Sequence, residues 1–304
     1  MVQIMEVMMV IMMKMKKIYK KPIFIAEIGC NHMGNIDLAK DLINLACQQG
    51  VDYVKFQKRN PKLLLTKEQY DAPHPNENFS FGKSYGLHRE FLEFSFEQHL
   101  ELYQFCQKNK IKYSTSVWDE DSAIEIIKLN PDFIKVPSAC NNNFKLLDIL
   151  VNKYKGDIHI SLGMTSRDEE NQIIKHFDSK SIKRLVLYSC TSGYPVNFND
   201  VCLLEISRLI KTYGNKVKAV GFSGHHLGIS IDIAAYVLGA EFIERHFTKN
   251  RALKGTDHAA SLEPQGVGKL IRDLDATYKS LRYKEKEILD IELPQRSKLK
   301  FRKK

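Results

Sequence analysis

The sequence predicts an α/β protein with a single-domain (β/α)8 TIM barrel. Short apolar or β-branched runs alternate with longer amphipathic ones across residues 22–282. Eight such strand–helix units can be read, and eight parallel strands close a barrel of roughly 250 residues. The alternative is an open doubly wound sheet. It is disfavoured because no Gly-x-Gly-x-x-Gly follows the first apolar run.

Strands are expected at 23–27, 52–57, 111–116, 133–136, 157–161, 184–189, 217–222 and 241–246. Helices are expected between and after them, at 36–49, 96–109, 119–129, 143–153, 168–178, 199–213, 230–239 and 264–281. In the third helix Ala123, Ile124, Ile126 and Ile127 form an apolar stripe. Asp119, Glu120 and Asp121 suit the positive end of its dipole. Gly50, Gly156 and Gly214 fall near helix ends, where a left-handed residue is cheap. Residues 58–95 interrupt the pattern with a long polar segment after the second strand. A loop of that length beside a barrel strand suits a lid or a substrate loop.

The 304 residues are 43% hydrophobic and 27% charged, which excludes a disordered or collagen-like chain. Mean hydropathy is −0.32. The sequence has no uncharged apolar run of about 18 residues, so no membrane span is expected. The formal charge of +10 sits at the ends. Five Lys against one Glu in residues 1–21, with six basic residues in 296–304, account for all of it. The balanced middle argues against nucleic acid. Residues 1–21 contain seven Met in their first fifteen positions and are expected to be a poorly ordered or over-extended leader. The barrel is then 22–290 and the basic tail 291–304. Six Cys without a Cys-x-x-Cys pair suggest a reduced, cytoplasmic protein.

Barrel chemistry belongs at the carboxyl ends of the strands. There the sequence places Glu27, Asn31 and His32, then Lys55 and Gln57, then Ser114, Thr115 and Ser116. Lys135 and Ser138 follow, then Ser161, then Ser189, Thr191, Ser192 and Tyr194. The last strands bring Ser223, His225 and His226, and Glu244, Arg245 and His246, with Asp257 and His258 just beyond. A buried ammonium is costly without an anion. Lys55 and Lys135 among hydroxyls therefore describe a pocket for phosphate and carboxylate, unless each Lys reaches solvent or pairs with a carboxylate. His225 and His246 end adjacent strands and can chelate one divalent ion, or serve as hydrogen-bonded structural histidines. Glu244 alternates with His246, so both should face the same way.

The stretches IAEIGCNHMGN (25–35), VKFQ (54–57), KVPSACNNN (135–143), SLGMTS (161–166), YSCTSGYP (188–195), GFSGHH (221–226), IERHFT (243–248) and KGTDHAASLEP (254–264) resemble the sialic acid synthase family of phosphoenolpyruvate-dependent nonulosonate synthases. The resemblance implies condensation of phosphoenolpyruvate with an N-acylated hexosamine aldehyde, such as N-acetylmannosamine or its 6-phosphate. The products would be a nine-carbon 2-keto acid and phosphate. It implies a divalent metal, Mn²⁺ or Mg²⁺, on His225 and His246, and a homodimer. By matching position, Lys55, Thr115, Lys135, Ser138, Ser161, Ser192 and Ser223 would hold phosphoenolpyruvate. Glu27, Gln57, Tyr194 and Asp257 would contact the sugar, and Glu244 would lie by the metal. Proton transfer would fall to Glu27, Glu244 or a water.

Two departures from the family pattern stand out. Cys140 occupies a position where many members carry an acid. The sequence also stops where an antifreeze-like domain would begin, so the sugar site is expected to close with its own loops or another chain. Two other functions fit parts of the pattern: a Schiff-base aldolase using Lys55 or Lys135, and a catalytically impaired barrel that binds a sugar acid.

Overall fold

A computed structural model describes residues 19–301. The leader expected at residues 1–21 therefore lies almost wholly outside the described residues, as does the end of the basic tail. Eight parallel strands close into a barrel in sequence order, as the pattern predicts. They are β1 (Ile23–Gly29), β2 (Tyr53–Lys58), β3 (Lys112–Val117), β4 (Phe133–Val136), β5 (Asp157–Ser161), β6 (Leu185–Cys190), β7 (Ala219–Gly224) and β8 (Phe242–His246). β8 closes on β1 with Ile25 opposite Glu244 and Glu27 opposite His246.

The outer helices are α1 (Ile36–Gln48), α2 (Phe96–Lys108), α3 (Glu120–Ile127), α4 (Phe144–Lys153), α5 (Arg167–His176), α6 (Leu204–Tyr213), α7 (Ser230–Leu238) and α8 (Pro264–Ser280). Their starts are fixed by local chemistry. The Asn35 side chain accepts from Asp37 N and Leu38 N at the head of α1, and Ser95–Gln98 and Ser166–Glu169 make reciprocal capping boxes on α2 and α5. Sixth in order, α6 starts later than the sequence reading, because residues 198–200 wind as a separate 3-10 turn.

The segment between β2 and α2 is not an irregular loop. It folds as short helices at Pro61–Leu64, Lys67–Asp71 and Tyr85–Leu92 with a 3-10 turn between them. Pro61 at a first helical position, the Thr66–Gln69 capping box and the Ser84 cap were the local signals for this. A further helix, Leu293–Leu299, forms in the tail.

Period-two alternation sorts the strands into two shells. The main core lies between sheet and helices and includes Phe24, Ala26, Val54, Phe56, Ile134, Leu185 and Ile243. A smaller cluster fills the lower barrel: Ile25, Tyr53, Phe133, Val186, Tyr188, Ala219 and Phe242. Gly221 is required there, since a Cβ would meet the Tyr188 ring at 2.7 Å. Above this apolar plug the inward positions turn polar. Among the described residues no helix is long and apolar enough to cross a membrane.

Candidate active site

Four charged side chains from four strands meet above the plug. Glu27 from β1, Lys55 from β2, Lys135 from β4 and Glu244 from β8 are each at most 4% exposed. Lys55 Nζ lies 2.6 Å from Glu27 Oε2 and 3.7 Å from Glu244 Oε2. Lys135 Nζ lies 2.5 Å from Glu244 Oε1. Two ammonium groups and two carboxylates thus alternate in one chain whose formal charges cancel. Hydroxyls complete it: Lys55 Nζ donates to Ser116 Oγ at 2.7 Å, and Ser223 Oγ donates to Glu244 Oε1 at 3.0 Å. The Lys135 ammonium also sits 4.2 Å from the centre of the Tyr188 ring.

The field of this group governs its ionisation. Burial alone would raise Glu244, but the ammoniums of Lys135 and Lys55 and the hydrogen bonds from Lys135 and Ser223 outweigh it and hold it at about 2. Burial pulls Lys135 below its ordinary 10.5, against the attraction of Glu244.

Beside β4 and β5, Ser138 Oγ accepts from Gly163 N at 2.9 Å. A Cβ at Gly163 would lie 2.4 Å from Ser192 Oγ and 2.9 Å from Ser138 Oγ. Glycine therefore lets these two hydroxyls approach one backbone position, a small polar cradle. Ser161 is buried below it, its carbonyl accepting from Asn141 Nδ2 at 2.9 Å.

At the outer rim His225 and His246 face each other with ring centres 5.4 Å apart. The Tyr194 ring tilts against His225 with centres 4.2 Å apart, and a cis bond joins Tyr194 to Pro195. His225 Nδ1 is 3.0 Å from the Thr191 carbonyl, so it carries the hydrogen and leaves Nε2 as a lone pair. Burial, with His246 nearby, lowers His225 to about 3, so the ring is neutral at physiological pH. His246 Nδ1 is buried without a hydrogen-bond partner, 3.9 Å from Asp257 Oδ2. Burial would raise Asp257, but His246, a Thr256 hydrogen bond, Arg89 and Arg59 hold it below its ordinary 3.8.

Several expected rim residues stand elsewhere. Thr115 points out of the barrel, where its hydroxyl donates to Tyr113 Oη at 2.6 Å. Its neighbour Ser116 takes the inward place. His32 stacks on Phe94 at 4.0 Å, and Asn31 Nδ2 ties the loop after β8 by donating to Phe247 O and Ser261 Oγ. His226 belongs to a buried brace: Arg245 Nη1 reaches Asp232 Oδ2 at 2.6 Å and His226 Nε2 at 3.0 Å. That brace holds the ends of β7 and β8, the strands that lead to His225 and His246.

Sequence reasoning missed Arg59 and Cys190. The Arg59 Nη2 donates to Gln57 Oε1, and Gln57 Nε2 donates to Glu27 Oε1 at 2.8 Å. Continuing the inward alternation of Lys55 and Gln57 by two residues would have found it. Cys190 ends β6 beside the hydroxyls of Ser138 and Ser223, and burial raises its thiol to about 11. The departure at Cys140 is also resolved chemically. Burial raises that thiol to about 12, so it is no base at neutral pH. With iodoacetamide near neutral pH, exposed Cys202 is expected to be alkylated while Cys140 stays unlabelled. Peptide mass spectrometry checks this, and equal labelling would contradict the buried thiol.

A closed barrel whose carboxyl-end mouth gathers ion-paired lysines, hydroxyls and two facing imidazoles defines an enzyme that handles anionic substrates. The NeuB family profile matches residues 42–286, and the chain belongs to that family. It is an N-acetylneuraminate synthase-like transferase. It is 37% identical to the N-acetylneuraminate-9-phosphate synthase of Mus musculus, over 92% of this chain and 77% of that protein. It is 33% identical to the N,N'-diacetyllegionaminic acid synthase of Campylobacter jejuni, over 86% of this chain and 78% of that one. Among solved structures, the N-acetylneuraminic acid synthetase of Leptospira borgpetersenii superposes with a TM-score of 0.76 at 27% identity, covering 91% of this chain and 92% of that one.

Proposed function

We propose that the protein condenses phosphoenolpyruvate with an N-acylated hexosamine aldehyde, giving a nine-carbon 2-keto sugar acid and inorganic phosphate. The observation that carries this is the buried Glu27–Lys55–Glu244–Lys135 chain beside the Ser138–Ser192–Gly163 cradle. Lys135, Ser138, Ser161, Ser192 and Ser223 hold the phosphate and carboxylate of the enol ester. Lys55, fixed by Glu27 and Ser116, joins them in holding the enol ester. Glu27, Gln57, Tyr194 and Asp257 receive the sugar.

Carbon 3 of phosphoenolpyruvate attacks the aldehyde carbon, and the aldehyde oxygen takes a proton to become a hydroxyl. Positive charge at carbon 2 is met by the carboxylate of Glu244, already ionised by its two ammonium neighbours. Water adds at carbon 2 and gives one proton to Glu27, which passes it to the aldehyde oxygen. The carbon–oxygen bond to phosphate then breaks, and the hydroxyl at carbon 2 gives its proton to the departing phosphate, leaving the ketone. Fixed donors do this without reorganisation, and side-by-side binding is worth up to about 7–11 kcal/mol. Both ammonium groups are ion-paired, which suits cations that hold anions rather than the free amine of a Schiff base.

A divalent ion, Mn²⁺ or Mg²⁺, fits the donor set of His225 and His246. One ring has its tautomer fixed by a carbonyl and the other has an orphaned buried nitrogen. Among the described residues no three His, Cys, Asp or Glu side chains are gathered around one point, so water or substrate oxygens would complete the shell. When bound, the ion polarises the aldehyde carbonyl as a Lewis acid. Six unpaired cysteines support a cytoplasmic setting, and a homodimer belongs to the same reading.

Phosphate release is expected only when phosphoenolpyruvate and an amino-sugar aldehyde are both present. A colorimetric phosphate assay over N-acetylmannosamine, its 6-phosphate and a di-N-acetylated 6-deoxyhexose checks it. Binding of phosphoenolpyruvate without turnover on any acceptor would instead favour the impaired barrel.

A further inference from the structure

The floor beneath the mouth carries two polar aromatics that the proposed chemistry does not use. Tyr188 on β6 and His159 on β5 are both fully buried. Tyr188 Oη and His159 Nδ1 are 2.8 Å apart, and His159 Nε2 is buried without a hydrogen-bond partner. Phe and Leu would fill the same space and strand no polar atom. Packing alone does not account for the pair.

The two rings are tightly constrained. His159 stands opposite Lys135 in the β4–β5 register. Its imidazole stacks on Phe133 with centres 3.9 Å apart and planes 4° apart, and it meets Phe242 edge-on at 4.9 Å. These contacts fix the plane from which Nδ1 reaches the phenol. The Tyr188 ring in turn lies against Gly221, where an added Cβ would be 2.7 Å from it. A hydrogen bond at its tip and this close approach along its edge restrict how the phenol can tilt.

The ring so fixed supports Lys135. The ammonium lies 4.2 Å from its centre, and the carboxylate that pairs with Lys135 among the described residues is Glu244. An aromatic face attracts an ammonium through its quadrupole, and burial strengthens the attraction. It does so without a formal charge. Burial, helped by the charge on Lys135, holds the His159 imidazole well below its ordinary 6.5, and burial raises the Tyr188 hydroxyl well above its ordinary 10. Both rings are therefore neutral at pH 7. A third carboxylate in their place would also restrain Lys135, but it would repel an incoming anion. A neutral platform restrains the cation and leaves its field to the substrate.

Resting on the synthase reading above, we infer that Tyr188 and His159 are positioning residues: the Tyr188 ring, held by its hydrogen bond to His159, is the platform that keeps the Lys135 ammonium in place for phosphoenolpyruvate. Neither ring touches the substrate. Both act through Lys135, so their effect belongs to the enol ester and not to the sugar.

The test titrates phosphoenolpyruvate into the protein by calorimetry without sugar, and measures KM for both substrates in turnover. Tyr188→Leu removes the face and is expected to weaken phosphoenolpyruvate by about 10-fold or more, with KM for the sugar unchanged. His159→Phe keeps the stack on Phe133 but strands the phenol hydroxyl, so the ring shifts and phosphoenolpyruvate weakens by about 5-fold. Adding Tyr188→Phe to His159→Phe removes the stranded hydroxyl and keeps a face under Lys135, and should restore affinity to within about 2-fold of the unaltered protein. Unchanged affinity in Tyr188→Leu would overturn the inference. So would a double variant that binds no better than His159→Phe, or a matching rise in KM for the sugar. If Tyr188→Leu does not fold, the other two variants decide by the same comparison. If the unaltered protein binds no phosphoenolpyruvate, the synthase reading fails and inorganic phosphate becomes the probe. The same pattern with phosphate would support the platform; equal binding by all variants, or none by the unaltered protein, would overturn it.

Discussion

Glu244→Gln is expected to lower stability by about 3–5 kcal/mol and to cut kcat by about 100-fold or more. The substitution keeps the shape and removes one charge. Lys55 retains Glu27 at 2.6 Å. Lys135, 3% exposed, is left with the face of Tyr188. Leaving one member of a buried pair alone costs far more than removing both. The double variant Glu244→Gln with Lys135→Met should therefore recover most of the stability and none of the activity. Urea unfolding read beside turnover separates the two effects.

The same carboxylate sets an acid limb. Its folded value of about 2 lies below the ordinary 4.5, so its contribution is full above the unfolded value and is lost as pH falls from about 4.5 toward 2. Glu244→Gln should flatten that limb. A double variant no more stable than the single one would remove the ion-pair account.

What the sequence could show follows from periodicity. Glu27, Lys55, Gln57, Lys135, Ser223, Glu244 and His246 were placed on the rim because strand ends and alternation are local properties. Thr115, whose role the family resemblance implied, shows the limit. Three polar residues in a row, Ser114, Thr115 and Ser116, give alternation no contrast, and a one-residue choice reverses the face. The structure pairs each Lys with a carboxylate, which the sequence offered only as an alternative to an anion pocket, since Lys135 and Glu244 are 109 residues apart. Arg59 and Arg89 came from the one segment without a repeating pattern. Its short helices were marked by caps at Asn60, Thr66 and Ser84 rather than by an apolar stripe. His226 looked like its neighbour His225 in sequence. Only tertiary contact with Arg245 and Asp232 separates a brace from a candidate ligand.

That separation makes the imidazole pair testable without confusing chemistry with folding. His225→Ala and His246→Ala are each expected to weaken Mn²⁺ binding by about 100-fold or more and to reduce turnover to background. The fold should survive in His225→Ala. The ring's hydrogen bond goes to the Thr191 carbonyl, worth about 1 kcal/mol, while β7 and β8 stay locked by Arg245 and Asp232 at 2.6 Å. His226→Ala should do the reverse, lowering the melting temperature by leaving Arg245 short of a buried partner while the ion still binds. Equilibrium dialysis with Mn²⁺ reads binding directly, and thermal unfolding reads the brace. A chelator should abolish activity in the unaltered protein, and added Mn²⁺ or Mg²⁺ should restore it. Full turnover after exhaustive chelation, or unchanged ion binding in His246→Ala, would take the metal away from this pair and leave the ammonium groups to activate the aldehyde unaided.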